Sequence, residues 1–200
     1  MKTVVIAATG RANTASMMAA LQRLGVHPEL SDDPERLRQA EMAVLPGVGS
    51  FGPVADRLRA CGILQAFSDR VQAGLGTLAV CLGMQLFCES SEEAPGVAGM
   101  GVVPGVIKSF GKELPLPQFG WNRLSGASAF SPSGGWAYFA NSYCLDEVPE
   151  GWQAVWSEYG RNFVASLERG RLLLCQYHPE LSGEFGRAVL QRWLAAGRLV

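Results

Sequence analysis

Histidine is scarce in this chain, which has only two among 200 residues. The five cysteines form an odd set without a C-x-x-C pair, so neither a disulfide framework nor a structural zinc site is expected. Such cysteine usage is typical of a protein in a reducing cytoplasm. Because the chain has only two histidines, a catalytic histidine must be His27 or His178. The cysteines are Cys61, Cys81, Cys88, Cys144 and Cys175.

An excess of charge is also lacking, because the formal net charge is −1 and charged residues make up 18% of the chain. A basic surface for nucleic acid or for an anionic membrane is therefore not expected. The first apolar run, Thr3–Ala8, is too short to cross a bilayer and has no adjacent signal-peptide cleavage pattern. With 48% hydrophobic residues, the chain can bury a core as one domain spanning residues 1–200.

Apolar runs alternate with helical patterns in the first half of the chain, whereas the second half contains short runs typical of strands. The β-α-β-α order predicts a parallel sheet with right-handed crossovers. The predicted fold class is α/β, with a central, mixed but mostly parallel sheet flanked by helices and a β-rich second half. The predicted strands are 3–8, 42–45, 77–80, 136–139, 153–156, 163–167 and 171–176. The predicted helices are 14–24, one starting at Asp33-Pro34, helical segments from about 53 to 73, and 183–194.

Cys81 lies between the apolar run 77–80 and a helix-like run, 83–87. A nucleophile at a sharp strand-to-helix turn projects from the end of a sheet, and the helix N-terminus places backbone N–H groups beside it. Those groups stabilise a thiolate, which is the attacking form of cysteine. Because small residues flank the turn at Ala79 and Gly83, Cys81 is predicted to be a catalytic nucleophile. Taken alone, such a cysteine is more often an inert core residue.

A nucleophilic thiol needs a base, and both histidines begin the same tetrapeptide, His-Pro-Glu-Leu. In an extended segment residues i and i+2 point the same way, so the glutamate can orient the imidazole in either copy. Position in the fold decides between them. His178 follows an apolar strand, at the carboxyl edge where open α/β sheets form their sites, whereas His27 precedes a strand at the opposite edge. We therefore predict His178 as the base and Glu180 as its orienting partner.

The segment Pro46-Gly47-Val48-Gly49 also follows a predicted strand. Glycines allow backbone conformations in which a peptide N–H is turned toward an oxyanion. Val48 and Gly49 are therefore predicted to form an oxyanion hole with the N–H of Leu82, the residue after the nucleophile. P-G-x-G is a common turn and a lone H-P-E is a weak signal, but three such segments at carboxyl strand ends reinforce one another.

The motifs around these residues resemble those of class I glutamine amidotransferases, which use a Cys-His-Glu triad. Finer motifs are similar to one branch of that family, the glutaminase subunits of imidazole glycerol phosphate synthase. The resemblance covers essentially the whole chain. The family motifs are LAVCLGMQLF (78–87), PGVGSFG (46–52) and QYHPELS (176–182), and the finer ones are GMQ (83–85), PQFGWN (117–122), YFANSY (138–143) and the pair Asn13 and Ser16.

The resemblance implies a glutaminase that uses neither a cofactor nor a metal. Cys81 would attack the side-chain amide of L-glutamine, and a γ-glutamyl thioester would form and then hydrolyse. His178 would protonate the leaving ammonia and later activate water, while Glu180 holds its ring. The Val48 peptide would reorient when a partner is engaged. The substrate-binding residues that the resemblance implies are Gly49, Gln85, Glu93, Ser142 and Tyr143.

The resemblance also implies a partner, a separate (β/α)₈-barrel cyclase subunit that receives the ammonia within a heterodimer. Together the two chains would make imidazole glycerol phosphate and an aminoimidazole carboxamide ribotide in histidine biosynthesis. The residues that would contact the partner are Asn13, Trp121 and Asn122.

The chain departs from the family pattern at several positions. Ala79 stands where a glycine is usual, and its small side chain is expected to be tolerated. Gln118 and Phe119 stand where His-Met is usual, Asn141 where histidine is common, and Leu181 where a lysine is expected near the partner surface. These changes leave the triad intact and concern the interface and the substrate contacts.

Other interpretations of the single residues stay open. Gln85 fits a polar residue in a first helical turn, Glu92-Glu93 a solvated carboxylate pair, and Trp121-Asn122 a turn packed on its own domain. Cys88, seven residues after Cys81, is expected on the same helix face as a core residue, with about 10 Å of helical rise between the two.

Two other functions are compatible with an elbow cysteine. One is a glutaminase that feeds pyridoxal phosphate synthase, a class that usually has a G-G-E-S-type turn where this chain has PGVGSFG. The other is a redox-sensing α/β domain, which has no need for an oriented base such as His178.

Overall fold

A nine-stranded mixed sheet organises the computed structural model of the protein, which describes residues 2–10 and 14–197. Most of the predicted elements of the first half are present. The strands are β1 (Thr3–Ala7), β2 (His27–Ser31), β3 (Met42–Gly47), β4 (Gly76–Cys81), β5 (Cys88–Ser91), β6 (Val103–Ser109), β7 (Gln118–Ser125), β8 (Gly135–Asn141), β9 (Tyr143–Cys144), β10 (Gln153–Glu158), β11 (Asn162–Arg169) and β12 (Leu172–Cys175). The helices are α1 (Thr14–Arg23), α2 (Pro34–Gln39), α3 (Phe51–Ala60), α4 (Ile63–Gln72), α5 (Leu82–Gln85) and α6 (Gly183–Ala196).

The order of the large sheet is β2-β1-β3-β4-β12-β11-β10-β7-β8. The first five strands of this order are parallel to one another, and the remaining pairings, from β12 outward, are antiparallel. The predicted mixed sheet with a β-rich second half is thus confirmed. Strands β5, β6 and β9 form a small separate sheet.

The strands of the first half are buried and apolar because helices cover both faces of the sheet. Side chains of β1 alternate between the two faces, with Val5 and Ala7 packing in a cluster that includes residues of α2, α3 and α4. Val4 and Ile6 pack on the opposite face with residues of α1 and α6. The two apolar clusters hold the parallel strands rigidly, so that loops at their carboxyl ends have fixed positions.

Local sequence signals set the helix boundaries. Asp33 caps α2, since its Oδ1 accepts a hydrogen bond from the Glu35 N–H at 2.9 Å, and Pro34 occupies the first position of that helix, as predicted. The predicted helical stretch 53–73 is divided into α3 and α4 by Gly62, which has a left-handed φ of 79°. None of the helices in the described ranges is long and apolar enough to cross a membrane.

Arg70 is a fully buried cation on α4. Its guanidinium donates hydrogen bonds to the carbonyl oxygens of Leu37 at 2.6 Å, of Gly76 at 2.7 Å, and of Ala40. Burial lowers the pKa of Arg70 to about 10, with a smaller contribution from the charge of Arg171. The side chain therefore ties the end of α2 to the start of β4.

Replacement of this arginine tests how far the fold depends on it. Arg70→Met keeps the aliphatic stem but removes the guanidinium donors to three buried backbone carbonyls, which we expect to cost about 3 kcal/mol or more of unfolding free energy. Urea denaturation measures the loss. Arg192→Met, at an exposed position of α6, is the matched control and should change stability by less than about 0.5 kcal/mol. Equal losses of unfolding free energy in the two variants would contradict the role of Arg70 in connecting α2 to β4.

Candidate active site

Cys81 ends β4 in a strained backbone conformation. With a φ of 55° and a ψ of −115°, it is the one non-glycine residue with a positive φ among residues 2–10 and 14–197. Such strain persists only where the surrounding structure imposes it, and it clusters at functional sites. Helix α5 begins at the next residue, Leu82, so the predicted strand-to-helix turn is present at Cys81.

Two glycines allow the turn to pack directly against β3. A Cβ atom on Gly83 would overlap the carbonyl oxygen of Leu45, and one on Gly47 would overlap the backbone nitrogen of Gly83. Ala79 is fully buried within β4, which continues through it to Cys81. Gly47 and Gly83 are therefore the two positions of the turn where any side chain would clash with the backbone.

The helix after Cys81 is shorter than the sequence predicts. Helix α5 makes a single turn, and the chain then enters β5 at Cys88, so the expectation that Cys81 and Cys88 share a helix face was wrong. The Phe87 N–H bonds to the Met84 carbonyl, three residues back instead of four, at 3.0 Å, which closes the helix. The carbonyls of Leu86 and Phe87 then accept hydrogen bonds from the N–H groups of Met100 and Val103, at 2.8 and 2.9 Å. Cys88 is nevertheless fully buried.

His178 and Glu180 lie within hydrogen-bonding distance, with 2.9 Å between Nδ1 and Oε1, and both side chains are at least nine-tenths buried. The backbone between the two residues is not the extended segment that we expected. Residues Pro179–Leu181 form a 3₁₀ turn that begins directly after His178, because the Ser182 N–H bonds back to the Pro179 carbonyl. The His178 N–H donates to the carbonyl of Tyr138 at 2.9 Å, which anchors the turn to β8.

The electrostatics of the pair favour a charged imidazole. Burial by itself lowers the pKa of His178, but hydrogen bonds to Cys81 and Glu180 and the negative charges of these two groups outweigh it and raise the pKa to about 10. The site therefore favours an imidazolium between Cys81 and Glu180, and a cationic imidazole beside a cysteine is the arrangement that activates the thiol as a nucleophile.

The second histidine has no part in this arrangement. His27 begins β2 and pairs in parallel register with Thr3, at the amino edge of the sheet and away from Cys81, as the sequence predicts.

A cavity of about 350 Å³ opens above Cys81. Its size is in the range of small-molecule sites. Gly49 lies in its wall with a φ of 103°, a conformation that glycine adopts readily. The structure brings all the predicted oxyanion and substrate residues to this cavity, whose lining includes Val48, Gly49, Cys81, Leu82, Gln85, Glu93, Ser142, Tyr143 and His178.

The two acidic residues predicted as an alternative solvated pair both bond to the backbone. Glu93 Oε2 accepts a hydrogen bond from the Phe51 N–H, at the start of α3, at 2.9 Å. Glu92 Oε2 accepts one from the Ser109 N–H at 2.8 Å. These bonds hold the loop that carries Glu93 against the cavity.

Sequence reasoning assigned no role to Gln176, which is fully buried beside the nucleophile. Its Nε2 lies 3.7 Å from Cys81 Sγ, and its Oε1 accepts a hydrogen bond from Gln85 Nε2 at 3.0 Å. The available signal was an amide side chain directly after the apolar strand β12, where packing alone would favour another apolar residue.

Two departures from the family pattern interact with each other. Gln118 Nε2 donates to Asn141 Oδ1 at 2.8 Å, and both side chains are buried. Asn141 Nδ2 in turn donates to the Tyr143 carbonyl at 2.9 Å. The paired amides therefore support the backbone of the cavity wall where the family commonly has histidines.

One face of the β7–β8 hairpin leaves large apolar side chains in solvent. We define this docking face by Phe119, Trp121 and Trp136 of the hairpin, which are 71%, 49% and 57% exposed, together with Leu181, which is 37% exposed in the 3₁₀ turn that hydrogen bonds tie to β8. Trp121 and Asn122 lie in strand β7 rather than in a turn, which corrects that alternative. Asn122 points its amide toward Gln118 Oε1 at 2.7 Å. The predicted contact residue Asn13 lies outside the described residues.

The cysteines other than Cys81 have environments unsuited to reactivity or are remote from the cavity. All five are free thiols. Burial raises the pKa of Cys88 to about 12 and that of Cys144 to about 11, and it raises the pKa of Cys175 further. Cys61 is exposed. In the part of the chain that the structure describes, no three His, Cys, Asp or Glu side chains are grouped to hold a metal ion.

Comparison with known proteins shows which family has this fold and these motifs. The family model for class-I glutamine amidotransferases matches residues 8–196. The chain belongs to the class-I glutamine amidotransferase family. Similar curated proteins within this family include several named imidazole glycerol phosphate synthase subunit HisH. The protein from Thermus thermophilus is 40% identical over 90% of this chain and 91% of its own length. The protein from Streptococcus gordonii is 38% identical over 90% of each chain. The protein from Symbiobacterium thermophilum is 36% identical over 100% of this chain and 95% of its own length.

Solved structures share the class-I amidotransferase fold. A structure titled as a glutamine amidotransferase superposes with a TM-score of 0.79 at 19% identity, over 98% of this chain and 99% of the other. The structure of PurLQS from Thermotoga maritima superposes with a TM-score of 0.74 at 18% identity, over 97% and 98% of the two chains. At these identities the likeness concerns the fold alone.

The close packing of the nucleophile turn makes Gly83 a sharp test of its geometry. Gly83→Ala should cost more than about 3 kcal/mol of unfolding free energy, because the new Cβ meets rigid backbone at Leu45. Gly25→Ala is the comparison, since Gly25 has a φ of 75° but open space around it, and it should cost about 1 kcal/mol. Urea denaturation of both variants measures the difference, and similar losses would refute the packing argument.

The His178–Glu180 pair predicts a pH-dependent stability difference. Because the pKa of His178 is raised from 6.5 to about 10, its contribution to stability is complete below about pH 6.5 and is lost as the pH rises through about 10. Glu180→Gln removes one cause of the shift and should lower the pKa of His178 by about one pH unit or more. The stability gap between the two proteins should therefore shrink as the pH rises.

NMR titration of the imidazole signals measures the pKa change directly. The His27 signal, from the opposite edge of the sheet, is an internal control that the substitution should leave unchanged. An unchanged His178 titration in Glu180→Gln would show that the carboxylate does not act on the ring.

Proposed function

We propose that this chain is the glutamine-hydrolysing subunit of imidazole glycerol phosphate synthase, acting in the cytoplasm as one domain of residues 1–200. The observation that carries the proposal is the meeting of Cys81 with the buried His178–Glu180 pair over a cavity of about 350 Å³. Membership of the class-I amidotransferase family and the HisH relatives support the same function.

In the proposed reaction, the Cys81 thiolate attacks the side-chain carbonyl carbon of L-glutamine, forming a C–S bond. The imidazolium of His178 gives its proton to the amide nitrogen, so that the C–N bond breaks and ammonia leaves. A water molecule then loses a proton to His178 and attacks the thioester. The C–S bond breaks, glutamate leaves and the thiolate returns. Glu180 keeps the ring of His178 oriented through both steps.

The negative charge that develops on the carbonyl oxygen requires N–H donors. The N–H of Leu82 and the peptide between Val48 and Gly49 are the proposed donors, because both border the cavity beside Cys81. Gln85, Glu93 and the backbone of Ser142 and Tyr143 are proposed to bind the substrate. No cofactor or metal is needed for this chemistry.

The proposed partner is the (β/α)₈-barrel cyclase subunit, which would take the ammonia and release imidazole glycerol phosphate and an aminoimidazole carboxamide ribotide. The docking face supports this assignment, since exposed apolar side chains of this size mark interaction surfaces. Phe119 belongs both to this face and to the cavity wall, so a bound partner would lie next to the site that releases ammonia.

Glutamate release from glutamine tests the proposal. Wild type and Cys81→Ser would be assayed alone and with a purified imidazole glycerol phosphate synthase cyclase subunit and its nucleotide ligand. We expect turnover only in the complex and near-silence of the isolated chain, because a Val48 peptide turned away from the oxyanion would withhold one donor. Cys81→Ser should lower turnover by at least about 10³-fold.

Other outcomes would redirect or refute the assignment. Robust turnover by the isolated chain would remove the partner dependence. Turnover only with the synthase subunit of a pyridoxal phosphate system would move the chain to that pathway. Full activity of Cys81→Ser would refute the thiol mechanism.

The docking face makes a separate prediction about affinity. Trp121→Ala should weaken binding of the cyclase subunit by about 30-fold or more, because a half-exposed tryptophan that becomes buried on association is typical of a binding hot spot. Leu30→Ala is the control, since Leu30 is 47% exposed on β2, at the opposite edge of the nine-stranded sheet. Calorimetric titration measures both, and equal affinities would exclude this face as the interface.

A further inference from the structure

Two buried glutamines form a hydrogen-bonded chain that ends at the nucleophile. Gln85 and Gln176 are 5% and 0% exposed, and their side chains meet at 3.0 Å. Burying an amide is costly unless its polar atoms are paired, and the partners of these two amides are other polar groups of the site. Gln176 Nε2 continues the chain to Cys81 Sγ at 3.7 Å.

A single backbone carbonyl determines the direction of every bond in this chain. The Tyr143 carbonyl can only accept, so the Gln85 side chain must turn its NH₂ group toward it, at 3.1 Å. The same NH₂ group faces Gln176, which must therefore present its oxygen to Gln85. The NH₂ group of Gln176 is then left facing the sulfur of Cys81. If the Gln176 amide were flipped, its NH₂ group would face the NH₂ group of Gln85, and two buried donors would be left without an acceptor between them.

A donor aimed at sulfur favours the thiolate over the thiol, because the anion accepts the stronger hydrogen bond. The other polar groups around the sulfur come from several elements. The Ala140 carbonyl of β8, at 3.9 Å, can only accept. The charged groups are His178 and Glu180 after β12 and Glu93 in the lining of the cavity. Gln176 is thus an uncharged donor that acts together with the imidazolium.

We propose that Gln176 is a positioning residue for Cys81, which holds the sulfur as a thiolate and fixes its direction through an amide that Gln85 and the Tyr143 carbonyl orient. The proposal rests on Cys81 being the nucleophile of the proposed function. It links the substrate-binding wall to the reactive sulfur, because Tyr143 lines the cavity that would hold glutamine.

The test is the pH dependence of Cys81 alkylation by iodoacetamide in the isolated chain, followed by mass spectrometry of the Cys81 peptide. Gln176→Met keeps a similar volume but removes the donor. We expect the midpoint of the alkylation profile to rise by about one pH unit, and the rate near neutral pH to fall about tenfold. The exposed Cys61 provides an internal reference whose alkylation should not change.

Gln65→Met is the control for the same chemical change. Gln65 Nε2 also donates a side-chain hydrogen bond, at 2.8 Å, but its acceptor is Asp69 on the exposed side of α4. This variant should leave the Cys81 alkylation midpoint unchanged. If Gln176→Met fails to fold, Gln85→Met supplies the second variant, since it removes the group that orients Gln176 and should shift the midpoint in the same direction.

The outcomes separate this proposal from the proposed function. A folded Gln176→Met that alkylates at Cys81 like wild type overturns the positioning role, whether or not the complex hydrolyses glutamine. A raised midpoint in a protein without glutaminase activity supports the positioning role while the proposed function fails. In an active complex, Gln176→Met should lower kcat about tenfold with little change in KM, whereas a general structural defect would lower stability without the shift in alkylation.

Discussion

The parallel pairing of β4 with β12 is the constraint on which the whole site depends. In this register Val80 lies beside Cys175, so the two strands end side by side at one edge of the sheet. The residues that follow them, Cys81 and His178, come from distant parts of the chain and yet emerge next to each other. Without this pairing, the thiol and its base would have no fixed relation.

The burial that this pairing creates also controls the electrostatics. His178 and Glu180 lie where water is nearly excluded, and there an unpaired charge would be strongly destabilising. The charged imidazole of His178 is therefore favoured only because Cys81 and Glu180 are its neighbours. The raised pKa of His178 expresses this mutual dependence, since burial alone would act in the opposite direction.

The uncharged polar groups at the cavity wall also depend on one another, because each buried amide is paired with a neighbour. Asn141 and Gln85 both donate to the Tyr143 carbonyl, and Gln118 and Gln176 extend the network on either side. Amide side chains carry both donor and acceptor, so a chain of them can replace other polar groups while every buried atom stays paired. The altered family positions Gln118 and Asn141 thus compensate each other.

The sequence by itself determined the class of fold, the nucleophile candidate and the choice of His178 over His27. Hydrophobic periodicity and the order of strands are local signals, and they suffice to assign carboxyl ends of strands. The Asp33-Pro34 helix start was likewise readable from two residues. The carboxylate partner of His178 was also correctly paired by spacing, although the 3₁₀ turn between them was not foreseen.

Only the tertiary structure decided the features that depend on contacts between distant segments. After the single turn of α5, the carbonyls of Leu86 and Phe87 pair with the N–H groups of Met100 and Val103, which are distant partners that the local pattern does not reveal. The role of Gln176 emerges from its orientation, which a backbone carbonyl imposes through Gln85. Local sequence encodes propensity and period, whereas hydrogen-bond partners between segments are selected by the packed fold as a whole.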